Sequence, residues 1–160
     1  MSSSLSHALE SSWPLWEQPA HFDLGHILNS AITDVLEPDR IGGLGIHHAG
    51  LWECDLASNT LIWSGGIYDI FGFPRTAAVT RDMAVACYAE HSRAAMERMR
   101  AHAIRHRCGF TLDVEISASA VGEARTVRLI AAPVCEGDLA VRLHGLKLLL
   151  DTGANRAAAR

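Results

Sequence analysis

Residues 110–117 alternate without a break: Phe110, Leu112, Val114 and Ile116 fall on one side, Thr111, Asp113, Glu115 and Ser117 on the other. A period of two marks a strand with one apolar and one polar face. Such a strand is stable only when antiparallel partners flank it and a second layer covers its apolar side. The partners follow in the sequence. Val121-Gly122-Glu123 supplies a turn and RTVRLIAAPV a second run; Glu136-Gly137-Asp138 turns again into DLAVRLHGLKLLL. In that third run Val141 and Leu143 share a side, opposite Arg142 and His144. Lys147 then falls in phase with Val141, which predicts a bulge at Gly145 that turns the charge outward.

Upstream, Leu51–Leu56 and Leu61–Ser64 flank the turn residues Ala57-Ser58-Asn59-Thr60, the pattern of a hairpin. Ile67, Tyr68, Ile70 and Phe71 fit a short helix stopped by Gly72 and Pro74. Thr80 is placed to cap a helix through RDMAVACYAEH, and Ser92 a longer one to about His106, with Gly109 just beyond its end. Earlier still, Leu24, Ile27, Leu28, Ala31, Val35 and Leu36 recur every three or four residues. They predict an amphipathic helix whose stripe must be buried, either on its own sheet or on a second copy. Asp23 begins that helix and Glu37-Pro38 ends it. The glycines that follow (Gly42, Gly43, Gly45, Gly50) lack the Lys-Ser/Thr ending of a phosphate loop. Residues 1–21 are Ser-rich and read as a flexible arm, except that Trp13 and Trp16 are costly to leave in water and predict docking.

The remaining composition closes off several function classes. With 49% apolar and 20% charged residues the chain is globular. Its net charge of −4 argues against nucleic-acid binding through a general positive field. No apolar run reaches the roughly 18 residues of a membrane span, and the first residues lack the pattern of a secretory signal. A cytoplasmic protein is therefore expected. Cys54, Cys87, Cys108 and Cys135 form no C-x-x-C pair, so neither a disulfide framework nor a cysteine zinc site is expected. No Ser or Cys stands in a nucleophile motif. Asp113 and Glu115 could pair as carboxylates on the polar face of their strand, although a solvated face is the commoner outcome.

The order hairpin, short helices, longer helix, three strands is carried by recognisable local sequence. Gly50-Leu51-Trp52-Glu53-Cys54-Asp55-Leu56, Leu61-Ile62-Trp63-Ser64 and Ile67-Tyr68-Asp69-Ile70-Phe71-Gly72-Phe73-Pro74 resemble the opening block of the PAS family, in its bacterial sensory-box type. Gly109-Phe110, Arg125-Thr126-Val127-Arg128 and Leu143-His144-Gly145 are similar to its later marks. The stretch Glu90-His91-Ser92-Arg93 keeps only the His and Arg of the family's loop before the long helix, and Asp151-Thr152-Gly153 stands where the family has Asp-Ile-Thr. The resemblance implies an α+β fold: a PAS-like five-stranded antiparallel sheet with short helices on one face, plus the N-terminal amphipathic helix. The expected divisions are an arm (1–21), the helix and Gly-rich connection (22–43), the PAS domain (44–151) and a tail (152–160).

The resemblance also implies a role: a signalling module that senses a small ligand or partner and mediates dimerisation, with no catalysis of its own. A homodimer and a separate signalling protein, such as a kinase or regulator, are the implied partners, and neither nucleic acid nor membrane is expected. The candidate pocket wall is Trp52, Cys54, Ile70, Phe71, Met83, Cys87, Met96, Met99, Leu112, Val114, Leu129 and Leu143, with the small residues Ala84, Ala86 and Ala89 leaving room. Leu24, Ile27, Leu28, Ala31 and Val35 are the candidate dimer or packing surface. Cys87, in Val85-Ala86-Cys87-Tyr88, does not match the run that carries a flavin photoreceptor's cysteine. No cofactor or metal is expected. The alternative within the family is a haem-based gas or redox sensor with His106 or His102 on the long helix as axial ligand. Outside it stands a small α+β-roll enzyme or carrier, which needs an inward Asp or Glu beside a His.

Overall fold

The computed structural model describes residues 9–21, 46–117 and 121–150. All six strands belong to one antiparallel sheet: β1 (Glu10–Trp13), β2 (Ile46–Asp55), β3 (Leu61–Trp63), β4 (Gly109–Ile116), β5 (Arg125–Glu136) and β6 (Leu139–Leu150), in the order β1-β4-β5-β6-β2-β3. The five strands expected from the sequence are present, and β1 adds a sixth at the edge. Three helices cross one face: α2 (Gly65–Phe71), α3 (Arg81–Ala86) and α4 (Glu90–His106). A single turn, α1 (Gln18–His21), follows β1. The amphipathic helix expected over Leu24–Leu36, with its candidate packing surface, lies outside the described residues.

The period-two alternation of residues 110–117 is realised. Phe110, Leu112, Val114 and Ile116 are buried under the helices, together with Trp52, Cys54, Ile67, Ile70, Phe71, Met96, Met99 and Ala103. The opposite face carries a second cluster, in which Ala49, Ile130, Ala132, Leu146 and Leu148 pack with Trp13. Both faces of β5 and β6 are therefore apolar, which is why their sequences read as nearly continuous hydrophobic runs.

Four local expectations are corrected. First, residues 9–21 are built onto the sheet and do not form a free arm. The Leu9 carbonyl accepts from Asp113 N at 2.7 Å, and β1 pairs with β4 in the register Glu10↔Leu112 to Trp13↔Gly109. Second, the α3 helix stops at Ala86, short of His91. The next residues leave the helix to pair with the end of β4: Tyr88 bridges Ile116, and Ala89 N donates to Glu115 O at 2.9 Å. Third, Ser92 is not the cap of α4. It is buried in the first turn, where its Oγ accepts from Glu115 N at 2.8 Å, and Ala89 holds the cap position. The left-handed residue that ends α4 is Arg107, not a glycine. Fourth, β6 has no bulge at Gly145. Its pairing with β2 is unbroken from Leu148 to Arg142, and the irregularity of the β5–β6 hairpin lies at Val134/Cys135.

Other local expectations hold as written. Gly72 ends α2 at φ 76°, and Thr80 Oγ1 accepts from Met83 N at 3.2 Å, an N-cap bond. Arg125 closes the C-terminus of α2 from across the domain. Its guanidinium donates to the Ile70 and Asp69 carbonyls at 2.9 and 3.2 Å, so two carbonyls near the helix end find a charged donor.

Candidate functional site

With no bulge at Gly145, Lys147 stays in phase with Leu143 and Leu149 and points into the helix-covered core. It sits between Gly50 of β2 and Leu129 of β5 and is 7% exposed. Gly145 instead allows close strand approach, because a Cβ there would strike the Ile130 carbonyl. The Lys147 ammonium faces three rings. Nζ lies 4.8 Å from the ring centre of Phe71, 5.3 Å from Trp52 and 5.5 Å from Trp63. Trp63 and Phe71 stack at 5.0 Å, which fixes two sides of this cage. Burial pulls the Lys147 pKa down to about 7; the nearby Cys54 and Cys87 thiols act in the opposite sense, and the Arg81 charge in the same sense as burial. The ring faces act in the opposite sense, because they attract the charged form.

Beside Lys147 is a small cavity of about 60 Å³. Since a water needs roughly 10–15 Å³ on this measure, there is room for a few water-sized groups. The sheet contributes Trp52, Cys54, Leu61, Phe110, Leu129, Leu143 and Lys147, and the helical side contributes Arg81, Ala84, Val85, Tyr88, Met96 and Arg100. Arg81 is ion-paired with Glu97, and Arg100 donates to Asn59 Oδ1 at 3.4 Å. Lys147 has neither a hydrogen bond nor a counter-ion among the described residues. The Trp52 and Trp63 indole nitrogens are buried with no hydrogen-bond partner. Burial raises the pKa of the Tyr88 hydroxyl, keeping it neutral.

The candidate wall residues fall into two groups. Trp52, Cys54, Met96, Leu129 and Leu143 line the cavity. Ile70, Phe71, Cys87, Met99, Leu112 and Val114 are buried in the same core but off the cavity wall, and Met83 is 41% exposed. The Cys87 thiol donates to the Met83 carbonyl at 3.4 Å, and burial raises its pKa. Sequence reasoning misses the polar part of the wall. The signal for it is the phase of Lys147 with Val141 and Leu143, which an assumed bulge at Gly145 cancels.

The His102 and His106 rings lie 4.5 Å apart, tilted by 43°, on the exposed side of α4, beside Trp16 and Cys108, and among the described residues no histidine lines the cavity. A haem ligated by either from inside the core has no place in this arrangement. Among the described residues no cluster of three or more His, Cys, Asp or Glu could hold a metal. The candidate carboxylate pair is separated by its partners: Asp113 takes two bonds from Arg128, at 2.9 and 3.1 Å, and Glu115 lies 3.5 Å from His91. Among the described residues no carboxylate lines the cavity, where a roll enzyme needs an acid–base pair.

No family model matches the sequence, and no curated protein matches it. Solved structures do match the fold. The chain is similar to an RNA-binding light-oxygen-voltage receptor, at 17% identity and TM-score 0.58 over 70% of this chain, and it spans 34% of that receptor's length. It is similar to a domain of a putative light and redox sensing histidine kinase from Haloarcula marismortui, at 14% identity and TM-score 0.56, covering 69% of this chain and 96% of that one. It is also similar to a sensory box histidine kinase/response regulator from Burkholderia thailandensis, at 14% identity and TM-score 0.56, covering 77% and 92%. The helix-backed antiparallel sheet and these matches together establish that the chain has the PAS fold.

Proposed function

We propose that the chain is a non-catalytic sensory module in signalling. It binds a small ligand in the cavity beside Lys147, acts as a homodimer, and passes its state to a separate signalling protein. The observation that carries this reading is the cavity itself, whose wall holds a mostly buried lysine with neither a hydrogen bond nor a counter-ion among the described residues. Buried polar groups are nearly always satisfied, so unsatisfied ones around a void favour an external partner. The relay follows from connectivity. Lys147 lies on β6, whose outer-face neighbours Leu146 and Leu148 pack in the opposite cluster with Trp13. A ligand that prefers one position of β6 therefore biases the packing on the far side. We assign the sensing core to residues 44–151, the dimer surface to the expected helix at Leu24–Leu36, and the protein to the cytoplasm.

The test is native mass spectrometry of the purified full chain, which reads bound small molecules and oligomeric state together. Ala84→Leu should fill the cavity. The expected result is a bound mass in the wild type and its loss in Ala84→Leu, with the circular dichroism unchanged. Wild-type protein that binds no small molecule under any condition would favour a purely structural interaction module.

A further inference from the structure

The charge on the cavity wall is one-sided. Arg81, Arg100 and Lys147 line it and, among the described residues, no acidic side chain does. Arg81 is neutralised by Glu97, and Arg100 donates to the neutral Asn59 amide oxygen. Lys147 is left as a buried cation with no counter-ion among the described residues, an arrangement that is costly unless something supplies the missing charge. The aromatic cage offsets part of that cost. Apart from the Tyr88 hydroxyl and the Cys54 thiol, the rest of the wall is mostly apolar, with Met96, Leu129 and Leu143 closest in kind to an alkyl chain. The void is small.

We propose that the cavity binds a short-chain monocarboxylate, its carboxylate held by the Lys147 ammonium and its alkyl end against Met96, Leu129 and Leu143. This rests on the sensory-pocket reading above and adds the ligand's chemical class. A phosphate or sulfate fits less well. It has no apolar part to match the wall, and its stronger hydration raises the cost of entry into a mostly hydrocarbon space.

The experiment uses the full chain and the straight-chain acids from acetate to pentanoate, each paired with the primary alcohol of the same length. Binding is followed by tryptophan fluorescence and checked by calorimetry. Saturable binding of at least one acid is expected, with its alcohol about tenfold or more weaker, as for loss of a charge-assisted hydrogen bond. Lys147→Met should erase the preference for the acid. Alcohols that bind as well as their acids would overturn the carboxylate assignment while leaving the sensory pocket standing. So would undiminished acid binding by a folded Lys147→Met. Failure of both series to bind would overturn this assignment, and the pocket reading would then be decided by the Ala84→Leu comparison.

Discussion

A lysine buried against three aromatic rings is held by two opposed effects. Loss of hydration disfavours the ammonium, and the ring faces favour it. Lys147 carries both, with a pKa drawn down from 10.5 to about 7 by burial. The folded-state value is depressed, so between about pH 7 and 10.5 the unfolded chain binds a proton that the folded chain lacks. Stability should climb as pH rises through that window, by at most about 1.4 kcal/mol per pH unit, and be flat below it. Lys147→Met keeps the length of the side chain and removes the charge. It should stabilise the protein by about 1–3 kcal/mol near pH 7 and abolish that part of the slope. Urea denaturation of both proteins at pH values spanning about 6–10 isolates the effect as a difference between the curves. A difference that does not change with pH would refute it. This residue is also the hardest to place from sequence. Period-two counting puts Lys147 inward with Val141 and Leu143, and only the general cost of burying a charge argues for a bulge. The aromatic cage that tolerates the charge is assembled from β2, β3 and α2, about 75–100 residues away in the chain, and leaves no local trace.

At the scale of elements, legibility follows locality. The hairpin, the helix ended by Gly72 and the three closing strands are set by period and turn chemistry within a few residues, and they form where expected. The early end of α3 and the role of Ser92 depend on pairing with β4, which begins 17 residues after Ser92, so cap rules misassign them. The N-terminal segment lies between these cases. Its indoles predict docking, and its polar composition predicts an arm. Trp13 decides between them. Its ring lies over Gly109 where a Cβ would clash, its Nε1 donates to Thr111 Oγ1 at 3.1 Å, and His21 stacks on it at 4.0 Å. Trp13→Ala should cost about 3–5 kcal/mol by thermal or chemical denaturation. Trp16→Ala, at a site 81% exposed, should cost about 0.5 kcal/mol or less. Equal effects would mean that β1 is not an integral strand. Arg125→Ala removes the donor that closes α2 and should cost about 1–3 kcal/mol, since two carbonyls lose a charged partner.

The whole molecule is a sheet with two apolar faces, and that constrains how it assembles. One face is covered by α2, α3 and α4, while the other carries Ala49, Ile130, Ala132, Leu146 and Leu148 around Trp13. The stripe from Leu24 to Val35 is a further apolar surface in the same chain, and the outer sheet face and a second copy are the two surfaces that can bury it. Leu28→Glu places a charge in the middle of that stripe and separates the two arrangements. If the helix binds a second copy, as proposed, the solution mass by light scattering should fall from dimer to monomer, and the variant's melting temperature should lose its dependence on protein concentration. If it packs on its own sheet, the mass should stay as in the wild type, while the melting temperature falls at every concentration. The second pattern would end the dimer proposal and leave the ligand proposal untouched, because the Lys147 cavity opens on the other side of the sheet from Leu146 and Leu148.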